Sequence, residues 1–359
     1  MNARQTGSGH TAGELFDSAT HGRRRRDGWT VWRPVADVCK RSRAVLWMAD
    51  RLGRGRGRWP WEGRRPASPP DATGPQDRRR PEVWPVAGAS EAFATSGYAA
   101  LPVGHATVLY RFGGTTVLTD PVFSSRIGLR AGRLTAGPRR LRPTAIMLDE
   151  LPAVDVVLVS HAHFDHLDRP TLDRLALRFP NATVVTAAGC IDLLDDLGFG
   201  DVRALGWGQS TRCGELHVTA IPAKHWGARV FADTHRGYAA FLLEHRGVRV
   251  LFGGDSAFFD GWRDVGAGGG VDLACVGIGA YDPYIAAHAT PEQAVEMAAL
   301  AGARAVMPMH YGVFRLSHEP MDEPLRRFQA AADRMCVRRV ADAIGRPWTW
   351  EAAEGCRGR

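Results

Sequence analysis

From about residue 97 the chain runs as short apolar stretches punctuated by glycine and polar residues. "ATVLYRF" and "TTVLTDP" flank Gly113-Gly114, which predicts a hairpin of two strands around a tight turn. "DVVLVS" is a continuous apolar run too short for a helix, the pattern of a strand buried on both faces, and "ATVVTA" repeats it. Between them "PTLDRLALRF" has helical spacing, with Asp168 or Arg169 near its cap and Pro170 in its first turn. "GCIDLLDDL" reads as a short helix closed by Gly198. Further on, "LHVTAIPA", "VDLACVGIGAY" and "RAVMPMH" read as strands, and "GYAAFLLEH" and "VRVLFGGD" as a second hairpin around Arg246-Gly247. The clearest helix is "TPEQAVEMAALAG": Thr290 caps it, Pro291 starts it, Gln293 completes a capping box and Gly302 stops it. Strands alternate with helices, yet the hairpins are too frequent for a purely parallel sheet. The pattern predicts a layered α/β sandwich of two mixed sheets with helices outside.

Charge divides the chain differently. Residues 1–95 carry 18 Lys+Arg against 10 Asp+Glu, whereas residues 96–359 carry 28 of each. The formal charge of +8 therefore belongs to the N-terminal quarter. That quarter is rich in Arg, Pro and Gly, as in "GRGRGR" and "RRPASPPDATGP", and predicts a largely disordered arm. Within it, Val35, Val38, Cys39, Ser42, Val45, Leu46 and Ala49 fall on one helical stripe beside Lys40, Arg41, Arg43 and Arg51. A basic amphipathic helix over 35–51, resting on an anionic membrane, fits that stripe. The expected organisation is an arm over 1–95, a folded domain over 96–345 and a tail over 346–359. No signal-peptide core and no membrane-length apolar run is visible. The six cysteines (39, 190, 213, 275, 336, 356) are dispersed, as expected of a cytoplasmic chain in peripheral contact with a membrane rather than a disulfide framework.

The densest chemistry is "VVLVSHAHFDHLDRP", where His161, His163, Asp165 and His166 follow a buried strand. Residues two apart on an extended segment point the same way, so His161 and His163 can grip one ion, and the turn that follows aims Asp165 and His166 at a second. Imidazole and carboxylate suit zinc, with manganese or iron as alternatives. Three further ligand types end predicted strands: His225 in "IPAKHWGAR", Asp255 in "LFGGDSAF" and His310 in "VMPMHYG".

With these residues in place, about 98–330 resembles the metallo-β-lactamase-fold hydrolases, in particular the branch of N-acylphosphatidylethanolamine-hydrolysing phospholipase D. The HxHxDH cluster carries the superfamily resemblance. "GHATVLYRFGGTTVLTDPVFSSR" and "IGAYDPY…HATPEQAV" carry the branch. The resemblance implies an αββα four-layer sandwich and two divalent ions, one held by His161, His163 and His225, the other by Asp165, His166 and His310, with Asp255 bridging. It places Asp120 behind the ligands, His105 near the core of the site and His288 near the substrate headgroup. Asp165, Asp255 and His288 are then the candidate catalytic residues. The chain departs from the branch at Gly254-Asp255-Ser256-Ala257, His310-Tyr311-Gly312 and Asp282-Pro283-Tyr284, which removes no ligand but weakens the substrate assignment.

The expected activity is a phosphodiesterase acting on phospholipids, with two metal ions making hydroxide available at neutral pH. A lactonase or esterase of the same fold is the alternative. A nuclease fits less well, because a neutral body offers no basic track for a phosphate backbone.

Overall fold

The computed structural model describes residues 96–351 apart from 133, 231 and 232, together with Phe93 and two short strands near the N-terminus. The expected helix over 35–51 and most of the arm lie outside the described residues. The chain divides into two units, 1–34 and 35–359. In the first, β1 (Arg23–Arg24) and β2 (Thr30–Val31) pair antiparallel.

The second unit holds two seven-stranded mixed sheets. In the first sheet, β3 (Tyr98–Gly104), β4 (Thr107–Phe112) and β5 (Thr115–Thr119) form an antiparallel meander. An excursion follows, containing the small hairpin β6 (Leu129–Ala131) and β7 (Leu134–Ala136). Strands β8 (Val156–Val159), β9 (Thr183–Ala187) and β10 (Asp201–Leu205) then add parallel to β5. The second sheet repeats this logic. Strands β11 (Ser210–Cys213), β12 (Leu216–Ile221), β13 (Ala240–His245) and β14 (Val248–Phe252) are antiparallel. Strands β15 (Leu273–Gly277), β16 (Ala305–Met309) and β17 (Arg338–Arg339) continue parallel.

Alternation builds the core. One face of β3, β4 and β5 (Ala100, Val108, Tyr110, Val117) meets one face of β12 to β16 (Val218, Phe241, Val250, Cys275, Met307) between the sheets. The opposite face (Leu101, Leu109, Leu118, Val157) packs under Leu172 and Leu175 of helix α1 (Arg169–Arg178). On the far side of the second sheet run α2 (Arg263–Ala267), α3 (Pro291–Leu300) and α4 (Glu323–Arg334), with α3 against β15. The arrangement is the expected four-layer αββα sandwich. Helix α3 carries the predicted capping box, Thr290 accepting from the Gln293 amide.

Two expectations need correction. "GCIDLLDDL" makes only a single 3₁₀ turn, Ile191–Leu193, because its acidic residues leave too narrow an apolar face. The boundary at 345 is too early. Strand β18 (Trp348–Trp350) pairs antiparallel with β3, and its Trp-Thr-Trp alternation turns both indoles to one face, where Trp350 stacks on Tyr98.

Candidate metal centre

Every candidate site residue sits at the end of a strand or in the loop beyond it. His105 turns between β3 and β4, Asp120 follows β5, and His161 to His166 follow β8. From the second sheet, His225 follows β12, Asp255 follows β14, His288 lies between β15 and α3, and His310 follows β16. Four non-glycine residues here adopt positive φ: His105 (59°), Asp120 (34°), Ala280 (63°) and His310 (60°). Such backbone is costly and persists where surrounding structure fixes it. Gly254 (φ 54°) lets the approach to Asp255 pass close to Ser160, whose Cβ would stand 2.9 Å from an added side-chain carbon.

The residues converge in three overlapping groups whose ligand atoms lie within 4.8 Å of one another: His161, His163, His225 and Asp255; His105, Asp165, His166 and His310; and Asp255, His288 and His310. The first two bring together the residues of the two ligand sets expected from the sequence, the second with His105 added. His105 comes closer than expected, its Nε2 lying 3.0 Å from Asp165 Oδ2 and its ring tilted against His310 with centroids 4.1 Å apart. Asp255 Oδ2 lies between the sets: 3.1 Å from His166 Nε2, 3.2 Å from His310 Nε2, 3.7 Å from His225 Nε2 and 3.9 Å from His161 Nε2. His288 stands at the edge, with Nδ1 3.9 Å from the same oxygen.

Hydrogen bonds behind the rings set which nitrogen faces inward. Ser160 Oγ–H donates to Asp120 Oδ2 at 2.6 Å, so Ser160 Oγ accepts from His161 Nδ1–H at 2.9 Å. His166 Nδ1–H donates to Asp120 Oδ2 at 2.6 Å, and His225 Nδ1–H donates to the Ala287 carbonyl at 2.9 Å. Each bond turns an Nε2 toward the centre, where it can ligate an ion once deprotonated. His163 Nδ1 lies 2.8 Å from His161 Nε2 and 3.2 Å from His225 Nε2. With the His163 proton on Nε2, three lone pairs would converge here, an arrangement that a cation among them relieves. His166 Nε2, His310 Nε2 and Asp255 Oδ1 are buried without hydrogen-bond partners, the condition a coordinated ion resolves. The donor set fits two divalent ions.

The electrostatics divide along the same line. Burial and the neighbouring imidazoles hold His163 down to about 3 and His161 well below its usual value. Burial likewise holds His225 down to about 4, so this set is neutral and ready to bind. On the other side burial also opposes the charged ring, but Asp255 and Asp165 overcome it, lifting His310 to about 9 and His166 well above normal. Burial opposes ionisation of Asp165 and Asp255, yet the facing imidazoles, His166 first, hold both well below the usual carboxylate range. Without metal, positive imidazoles balance these carboxylates.

Two contributors escape a reading from sequence. Ser160, directly before the histidine cluster, joins Asp120 to His161 and, through Asp120, to His166. Trp226, visible only as the aromatic after His225, stacks on that ring at 4.5 Å and meets His163 edge-on at 4.8 Å.

Comparison with known proteins agrees with this geometry. Residues 115–311 match the family described as Beta-lactamase superfamily domain. The N-acyl-phosphatidylethanolamine-hydrolyzing phospholipase D 1 of Caenorhabditis elegans is 31% identical over 286 residues, covering 74% of this chain and 79% of the relative. An uncharacterized Mycobacterium tuberculosis protein is 36% identical over 239 residues, covering 64% of this chain. The chain thus spans 63% of that mycobacterial relative's length. Among solved structures, a metallo hydrolase from Ignicoccus hospitalis shares the fold at TM-score 0.52 and 19% identity, covering 71% of this chain and 99% of its own.

Proposed function

The chain belongs to the metallo-β-lactamase superfamily, and on that footing we propose that it is a metal-dependent hydrolase whose substrates are N-acylphosphatidylethanolamine-like phosphodiesters. The hydrolase reading is carried by Asp255 Oδ2, a single carboxylate oxygen faced by imidazole nitrogens from both ligand sets. The phospholipid reading draws its support from the nematode relative, most of whose length this chain covers. The two ions, zinc by preference because imidazole dominates the donors, would be held by His161, His163 and His225 and by Asp165, His166 and His310, with Asp255 between them. When bound, such ions lower the pKa of water toward ~7 and polarise a phosphoryl oxygen.

The chain's own residues do the rest. Asp120, Ser160 and the Ala287 carbonyl fix ring tautomers, so the ligands need no rearrangement on binding. Trp226 and Phe314 pack against His225 and His105 and keep water from the flanks. His288, kept neutral by burial, stands at the edge of the centre and orients the headgroup. The basic arm is proposed to hold the protein at anionic membranes, on the strength of its charge alone. Among the described residues no helix is long and apolar enough to cross a membrane.

Elemental analysis of the purified full chain, followed by turnover of an N-acylphosphatidylethanolamine, a soluble phosphodiester and a lactone, tests the proposal. Close to two ions per chain with preference for the phospholipid supports it. A metal-loaded chain that turns over only the lactone assigns it to small-molecule hydrolysis.

A further inference from the structure

The body is neutral overall but not evenly so. Between Asp120 and Asp149 the sequence has six arginines and no lysine or acidic residue. This stretch is the excursion that carries the β6–β7 hairpin. In its register Leu129 lies opposite Ala136 and Ala131 opposite Leu134, while Arg130 lies opposite Thr135. Cross-strand partners share a face and neighbours along a strand alternate. One face is therefore wholly apolar (Leu129, Ala131, Leu134, Ala136) and the other carries Arg130 and Thr135. Among the described residues nothing covers the apolar face: Leu134 is 78% exposed and Leu129 42% exposed, and Leu141 at the base is 54% exposed. A two-stranded hairpin alone is marginal in water, and an uncovered apolar face adds to its cost.

The hairpin is firmly rooted. At its base Ile127 N–H donates to the Pro138 carbonyl at 3.0 Å and Arg140 N–H to the Ser125 carbonyl at 2.9 Å. Gly128 and Gly137 approach so closely that a side-chain carbon on either would lie 2.1 Å from the opposite carbonyl oxygen. The base is also tied to both flanks of the metal centre. Leu141 N–H donates to the Val313 carbonyl at 2.8 Å, three residues past His310, and Ser124 N–H to Asp168 Oδ2 at 3.3 Å, two residues past His166. The Arg140 guanidinium lies 4.9 Å above the Phe314 ring, which in turn meets His105 at 5.2 Å.

We infer that this hairpin is an interfacial anchor: its apolar face dips into an anionic phospholipid bilayer, while the exposed Arg126, Arg130 and Arg139 engage lipid phosphates. Charge complementarity selects the partner, since the exposed Arg126, Arg130 and Arg139 beside exposed leucines suit an anionic, apolar-cored surface. Because its base is bonded to the segments holding His310 and His166, docking presents the metal centre to the membrane. This deepens the phospholipid reading of the site and rests on it, although the surface itself can be tested without turnover.

The test is co-sedimentation of the full chain with phosphatidylcholine vesicles, with and without phosphatidylserine, for the wild type, Leu129→Asp/Leu134→Asp, the milder Leu134→Ser, and Arg130→Glu. A Val45→Asp/Leu46→Asp variant controls for the N-terminal arm. The hairpin leucine variants should bind anionic vesicles about tenfold more weakly than wild type in either arm background, and Arg130→Glu should lose binding that about 1 M salt also removes. Metal content and turnover of a soluble phosphodiester should stay at wild-type values, which shows that the variants fold. Hairpin variants that bind vesicles as wild type does would overturn the inference. So would a concentration-dependent doubling of mass that the leucine variants abolish while vesicle binding persists, which would make the face a contact between copies. Vesicle binding that depends on the hairpin in a protein inactive on phospholipids would leave the anchor standing and remove the substrate proposal instead.

Discussion

Asp120 makes no approach to a substrate, yet replacing it should disable half of the centre. Its carboxylate is fully buried and accepts three hydrogen bonds: Ser160 N–H at 2.7 Å on Oδ1, and Ser160 Oγ–H and His166 Nδ1–H, both at 2.6 Å, on Oδ2. In Asp120→Asn the amide can satisfy only one side. With its oxygen in the Oδ2 position, the new NH₂ group confronts Ser160 N–H. With its NH₂ there, His166 must move its proton to Nε2, where it blocks the metal position beside Asp255. Leaving one buried donor unsatisfied costs about 1–3 kcal/mol. Losing the group that orients a metal-binding histidine typically lowers metal affinity about 10–100-fold, or about 1.4–2.8 kcal/mol. A chelator-competition titration of the loaded protein should therefore show one ion released about 10–100-fold more readily and the other held nearly as before. Ser160→Ala should shift the effect toward the other set, because it removes the acceptor of His161 Nδ1–H and spares the Asp120–His166 bond. If Asp120→Asn retains both ions within about twofold of wild-type affinity, the reasoning from tautomer to affinity is wrong.

Asp255→Asn should weaken both ions and His225→Ala mainly one, a difference that elemental analysis after dialysis reads directly. Metal binding should be proton-linked. His310, raised to about 9, and His166, also raised, are protonated in the metal-free chain at neutral pH, so affinity should climb as pH rises toward 9 and fall toward acid, with proton release visible in buffers of different ionisation enthalpy. A pH-independent affinity between 6 and 9 would count against this. Ending the chain at Gly345 should remove β18, uncover Tyr98 and cost about 2–4 kcal/mol in chemical denaturation, where a mere tail would cost nothing.

Much of the fold was legible because its signals are local. Glycine turns marked the hairpins at Gly113-Gly114 and Arg246-Gly247, and Thr290 with Gln293 marked α3. The strands carrying His161, Asp255 and His310 announced themselves as apolar runs that stop at a ligand. Other elements depend on partners distant in sequence. Strand β3 contains Pro102 and ends in Gly104, and it pairs only because β4 and β18 flank it. Helix α4 was readable in principle, since Pro324, Phe328, Ala331 and Ala332 are spaced for one buried face, but charged residues dominate it. In the site, ligand identities follow from residue type and strand-end position. Ser160 does not, because its role appears only once Asp120, forty residues earlier, is folded against it.

The centre draws His161, His163, Asp165 and His166 from the first sheet and His225, Asp255 and His310 from the second. Across most of their area the two sheets meet through apolar side chains, with the Tyr98 hydroxyl and His245 Nδ1, 3.0 Å apart, joining them by a hydrogen bond at the far end. Bound ions would rivet them at one end. Amide hydrogen exchange should then slow in β8 and β16 together when metal is added, although no hydrogen bond joins those strands. On this reading the site would fasten the fold as well as serve chemistry, and removing the ions should loosen the body around it.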